Sequence, residues 1–176
     1  MSLWWVFAFL FVERLFELRL AAKNRRILLQ RGGQEFFPES YRGIVLMHLL
    51  FLACLILESY PWSVPFDELT LIILCCVLLL QIARYWCVWS LKEYWNTRII
   101  LVPGAAVCRR GPYKFMRHPN YLVVTFEFAL LPLLARAPVT LLVFSVANFF
   151  VLRRRIFFEE QALRKHTDYS RHFRPG

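Results

Sequence analysis

Residues 111–121 read Gly-Pro-Tyr-Lys-Phe-Met-Arg-His-Pro-Asn-Tyr, the densest run of chemically capable side chains in this 176-residue chain. Gly111-Pro112 is a turn signal, while Pro119 pushes His118 toward extended backbone and suits the first turn of a helix. His118 then stands beside the free N–H groups of Asn120 and Tyr121, at a helix end that attracts a carboxylate or phosphate. Tyr113, Phe115 and Tyr121 offer flat faces able to hold an adenine or a sulfonium. A cation over such a face gains about 0.5–2 kcal/mol. The plainer alternative is an interfacial loop, with Lys and Arg snorkelling and Tyr in an aromatic belt.

A second constellation spans 153–160, Arg-Arg-Arg-Ile-Phe-Phe-Glu-Glu. On a continuous helix Leu152, Arg155, Ile156, Glu159, Leu163 and His166 follow the i, i+3, i+4 pattern and form one stripe. Arg155 and Glu159 therefore fall inside an apolar stripe, and Arg154 and Lys165 point elsewhere. A charge pair on a packed face needs a ligand or partner to offset its desolvation. The bland alternative is an exposed i,i+4 pair worth about 0.3–0.5 kcal/mol. Gly-rich cofactor loops are missing: the chain has six Gly and neither a GxGxxG nor a Walker loop.

The elements that must position these groups are membrane helices. Hydrophobic residues make up 59% of the chain and charged residues 19%, which excludes a soluble globular enzyme of this size and a disordered tail. Apolar blocks fall at 3–20, 41–58, 69–89, 121–134 and 139–152. The third is long enough to span alone. The last two, joined across Arg136, are full spans extended by flanking residues or a re-entrant hairpin. The net charge of +10 would suggest nucleic acid on a soluble domain, but 18 of the 22 Lys and Arg lie in 23–42, 92–117 and 153–174. Those segments are then cytoplasmic, with the N-terminus outside and the C-terminus inside. The expected fold is an all-α integral membrane protein of about five transmembrane helices, one domain over 1–176. Three helices (1–97) precede a cofactor-binding and catalytic part (98–176) on the cytoplasmic side. Residues 98–112 are expected to form a short β-like segment turning at Pro103-Gly104.

Polar residues inside the apolar blocks need partners. Glu13 and Glu17 share a helix face at i,i+4. Glu127 faces the bundle or a cavity, pairing with Arg84 or Asn148 or meeting substrate. His48, Gln81 and Asn148 read as helix–helix hydrogen bonds. Trp86, Trp89, Tyr94 and Trp95 read as an interfacial belt or the lining of a lipid entrance. Cys54, Cys75, Cys76, Cys87 and Cys108 show no CxxC and no metal-ligand spacing, so they read as small buried apolar residues, without metal or disulfide.

The segments Gly111-Pro112-Tyr113, Arg117-His118-Pro119-Asn120-Tyr121 and Glu159-Glu160, followed by Tyr169, resemble the isoprenylcysteine carboxyl methyltransferase family over roughly 98–173. The Glu13-Arg14…Glu17 run and Asn24 look like those of its short bacterial members. Phospholipid methyltransferases and NADPH-dependent membrane sterol reductases share versions of the RHPxY element, and the Glu-Glu pair in so short a chain favours the first family. The resemblance implies S-adenosylmethionine as cofactor and methylation of an acidic oxygen. The acceptor would be a prenylcysteine-type carboxylate or a lipidic hydroxyl such as an alkylpyrone. It also implies that Gly111, Tyr113, His118, Pro119, Tyr121 and Glu160 serve the cofactor pocket, a carboxylate of the Glu pair lying near the cofactor's amino group, and that Arg155 and Glu159 are the catalytic pair. The partners implied are a lipophilic acceptor and membrane lipids, with neither nucleic acid nor metal.

Overall fold

The computed structural model describes residues 1–172. Among them, five long helices run back and forth between the same two ends: α1 (Trp4–Gln30), α2 (Pro38–Glu58), α3 (Glu68–Leu91), α4 (Pro119–Leu134) and α5 (Pro138–His166). The first end is tied by backbone donors. The Met1 ammonium donates to the Val64 carbonyl at 2.6 Å, and the Leu3 N–H to that of Trp62 at 2.8 Å. A helix start leaves its first N–H groups unpaired, and here Glu58 accepts from those of Val139 (2.8 Å) and Thr140 (2.7 Å) in α5. Arg136 donates to Asp67, which also caps α3 by accepting from the Thr70 N–H at 2.8 Å.

At the opposite end, β1 (Gln34–Phe36) pairs antiparallel with β2 (Ile99–Leu101). This corrects the expected segment over 98–112. The strand is present and Gly104 does turn the chain, at φ 76°, but the partner of β2 comes from the α1–α2 connection. The reason lies in where the next backbone donors go. Gly104 N–H donates to the His166 carbonyl at 2.9 Å and Val107 N–H to the Asp168 carboxylate at 2.8 Å, so the C-terminal segment claims them before a return strand can form. A single turn, α6 (Tyr169–His172), follows.

An apolar core that includes Leu10, Phe51, Leu55 and Phe128 is joined by two features foreign to a soluble protein. Phe11, Phe16, Leu57, Leu79, Trp89, Leu142 and Phe150 are exposed, while Glu13, Glu17, Arg84 and Glu127 are buried. Arg84 sits at the centre. It donates through Nε to Glu127 at 2.8 Å, through one Nη to Glu17 at 2.8 Å, and through the other to the second oxygen of Glu127. Arg14 (3.0 Å) and Gln81 (3.3 Å) add donors to Glu127. Glu127 thus takes Arg84 rather than Asn148, whose Oδ1 meets no donor among the described residues. Among the described residues His48 makes no helix–helix hydrogen bond; its Nδ1–H donates within α2 to the Ile44 carbonyl at 2.8 Å. Burial of the cysteines holds for Cys87 alone: Cys54 and Cys75 are exposed on the helix surfaces, among apolar side chains that need no water.

Helix length and composition alone mark two stretches, Pro38–Glu58 and Glu68–Tyr94, as able to cross a membrane. α1 carries Arg14 and Glu17 of the interior cluster, α5 carries Arg155 and Glu159, and α4 has 16 residues, or about 24 Å.

Candidate active site

Where α4 begins and α5 runs on past its apolar half, the two sequence constellations face one cavity of about 250 Å³. Pro119 occupies the first helical position of α4 and keeps His118 out of the helical region, at φ −132° and ψ 60° rather than the extended backbone expected, with its ring at the helix start. The ring stacks on Tyr121 with centroids 5.5 Å apart. From the facing helix, Arg155 and Glu159 reach the same wall one turn apart. The Tyr121 hydroxyl joins them: it accepts from Arg155 Nε at 3.3 Å and donates to Glu159 Oε2 in a short hydrogen bond. The stripe on α5 is therefore present in space. Leu152 and Arg155 are buried, Glu159 and Leu163 half-buried, while Arg154 and Lys165 are exposed.

Arg155 is held from three directions. Besides Tyr121, it donates through its two Nη atoms to Ser40 Oγ (2.7 Å) and to the Thr97 carbonyl (3.0 Å). A guanidinium has five N–H groups, so about two are left to face the cavity that this side chain lines.

Tyr113, His118, Tyr121, Arg155 and Glu159 all line the cavity; Gly111, Pro119 and Glu160 do not. Gly111, at φ 54°, packs on α3, where an added Cβ would lie 2.0 Å from Ser90 Oγ. Pro119 is buried behind the helix start. Phe115 is 76% exposed and forms no wall. Glu160 sits behind His118: it accepts from His118 Nε2 at 3.3 Å, Arg164 at 3.0 Å, Tyr169 at 3.1 Å and Arg117 at 3.5 Å. An ionised carboxylate only accepts, so it fixes the proton on Nε2 of His118.

Burial works to raise the Glu160 carboxyl, but hydrogen bonds from Arg164, His118 and Tyr169 outweigh it and hold the group at about 2. A carboxyl depressed in the folded state stabilises fully above its unfolded value of 4.5, and that contribution fades as pH falls through about 2. Acid unfolding in detergent, followed by near-ultraviolet circular dichroism from pH 5 down to about 2, is therefore expected to be steeper for the wild type than for Glu160→Gln. Parallel curves would remove Glu160 from this role. Burial likewise pushes the Tyr113 phenol well above its ordinary value, so it remains a neutral donor.

Asn96, Thr97 and Val124 line the wall without any local sequence signal. Trp95 is buried in the cavity wall, unlike the exposed Trp86 and Trp89. The inner end is closed by Arg14, Glu17, His48 and Arg84, which joins the interior charge cluster to the site. Among the described residues no group of three or more His, Cys, Asp or Glu could hold a metal ion. The arrangement offers aromatic faces and carboxylates for a cationic ligand beside a buried guanidinium for an anionic one.

The model of the isoprenylcysteine carboxyl methyltransferase (ICMT) family matches residues 71–165. The uncharacterized protein YpbQ of Bacillus subtilis is 40% identical over 164 residues, covering 93% of this chain and 98% of its own. An uncharacterized protein of Haemophilus influenzae is 25% identical over 158 residues, 89% and 92% of the two chains. No solved structure matches the chain.

Proposed function

The chain belongs to the isoprenylcysteine carboxyl methyltransferase family, membrane-bound methyltransferases, and from that premise we propose that it moves the methyl group of S-adenosylmethionine to an acidic oxygen of a lipophilic acceptor. The observation that carries this reading is the single cavity shared by His118 and Tyr121 of one constellation and Arg155 and Glu159 of the other.

The cavity wall suits the cofactor by its donor set. Tyr113, His118 and Tyr121 would hold a flat base or a sulfonium, and the Glu159 carboxylate would meet a positive group. When bound, S-adenosylmethionine supplies an electrophilic methyl on a sulfonium. The residues of this chain then have positioning and desolvation to perform. Arg155 holds the acceptor oxygen as an anion with its free N–H groups, in a buried setting where such contacts are strong. Glu159, through Tyr121, keeps the guanidinium aimed at it. A carboxylate acceptor, such as a prenylcysteine, needs no base; a lipidic hydroxyl such as an alkylpyrone gives its proton to Glu159 or His118.

Five membrane crossings, with the N-terminus outside and the C-terminus cytoplasmic, agree with the alternation of the helices between two ends and with the exposed apolar belt. The basic connections all lie at the β1–β2 end, where a water-borne cofactor would arrive. The acceptor would come sideways from the bilayer.

Calorimetry on detergent-purified protein is expected to give binding heat with S-adenosylmethionine and none with NADPH. Incubation with methyl-labelled S-adenosylmethionine and a total bacterial lipid extract is expected to yield a labelled lipid, identified by mass spectrometry. Heat from NADPH alone would turn the reading toward a membrane reductase.

A further inference from the structure

Resting on that reading, we propose that Ser40 is a positioning residue for methyl transfer, fixing the plane of the Arg155 guanidinium from a helix outside the segment matched by the family model. The Ser40 hydroxyl has one proton, and it is spent on the Phe37 carbonyl at 2.7 Å. Its lone pairs are thereby turned to Arg155, whose Nη lies 2.7 Å away. Phe37 is itself locked. It takes a left-handed backbone at φ 50°, a costly conformation for a bulky residue, and its ring stacks on Phe158 of α5 at 4.6 Å and 15°.

The contacts close a loop: Phe158 holds Phe37, Phe37 holds Ser40, and Ser40 holds Arg155, one turn back on the helix that carries Phe158. With Thr97 and Tyr121 on the other edges, the guanidinium cannot rotate about its stem. Its two free N–H groups then keep one direction into the cavity without a search at each turnover. Without Ser40, one edge is released while charge and burial stay.

Ser40→Ala is expected to lower kcat about tenfold, to leave S-adenosylhomocysteine affinity unchanged, and to recover in Ser40→Thr, which keeps the hydroxyl. In an Arg155→Lys background the same change is expected to have no further effect. A readout independent of turnover is nitrogen NMR of labelled arginine in micelles, with the Arg155 signal assigned by its absence in Arg155→Lys. Rotation about its Cζ–Nη bonds is expected to be slow in the wild type and faster in Ser40→Ala. Equal rotation rates, or an undiminished kcat loss in the Arg155→Lys background, overturn the proposal. Wild-type protein that binds no S-adenosylhomocysteine and transfers no label overturns the methyl-transfer reading, and the positioning role with it, before any variant is made.

Discussion

Arg155→Ala and Glu159→Ala are each expected to lower methyl transfer by at least about 100-fold while the protein still purifies as a folded species, the low end for loss of one electrostatic contact to a transition state. The two should fail for different reasons. Removing the guanidinium takes away the cation that stands beside Tyr121 and Glu159 on this wall, while Arg14 and Arg84 at the inner end stay committed to Glu17 and Glu127. Arg155→Lys restores the charge but not the fork that reaches Ser40, Thr97 and Tyr121 together, and is expected to recover little. Removing Glu159 releases the Tyr121 hydroxyl, which then rotates freely between Arg155 and the cavity. Glu159→Gln keeps an acceptor for Tyr121 and is expected to fall between wild type and Glu159→Ala. Rates measured with labelled S-adenosylmethionine check the order. Near-normal turnover in both alanine variants would remove the pair from the reaction.

The reasons this pair was legible in the sequence also explain what was not. Helical spacing fixes direction: successive residues lie about 100° apart, so Arg155 and Glu159 share a face while Glu160 must turn away. The structure follows that rule, with Glu159 in the cavity wall and Glu160 behind His118. Adjacent carboxylates thus do two jobs, one toward the cavity and one toward its frame. His118 was readable because Pro119 dictates both its own place in the helix and the backbone before it. Ser40 and Thr97 left no such mark. One acts through a hydroxyl 115 residues from its partner and the other through a main-chain carbonyl that any residue would supply. The β1–β2 pairing was equally silent, since three-residue strands are too short for alternation to show. The charge pattern told a middle story. Glu13, Arg14, Glu17, Arg84 and Glu127 announce themselves by standing in apolar blocks, yet which one pairs with which is decided by helix rotation, and only the fold reveals that Arg84 is the hub.

That hub carries the second large expectation. Arg84→Met is expected to destabilise the folded protein by about 3–5 kcal/mol, because Glu17 and Glu127 keep their burial and lose their main counter-charge. A leucine at a lipid-facing position would be lost at little cost; here the penalty comes from what remains. In the double variant Arg84→Met with Glu127→Met, the cation leaves together with the anion it grips through both oxygens, and the Arg14–Glu17 pair stays behind as its own partner. The double change is therefore expected to be less damaging than Arg84→Met alone, a coupling that runs against simple addition. Thermal unfolding in detergent of the wild type, both single variants and the double variant measures it directly. Equal stability of Arg84→Met and wild type, or losses that add, would mean that water or lipid headgroups already compensate these charges. The same set connects stability to the site, because Arg14, Glu17 and Arg84 form the inner wall of the cavity. The paired set of Arg14, Glu17, Arg84 and Glu127, two cations against two anions, also fixes how α1, α3 and α4 sit together, and hence where the cavity ends.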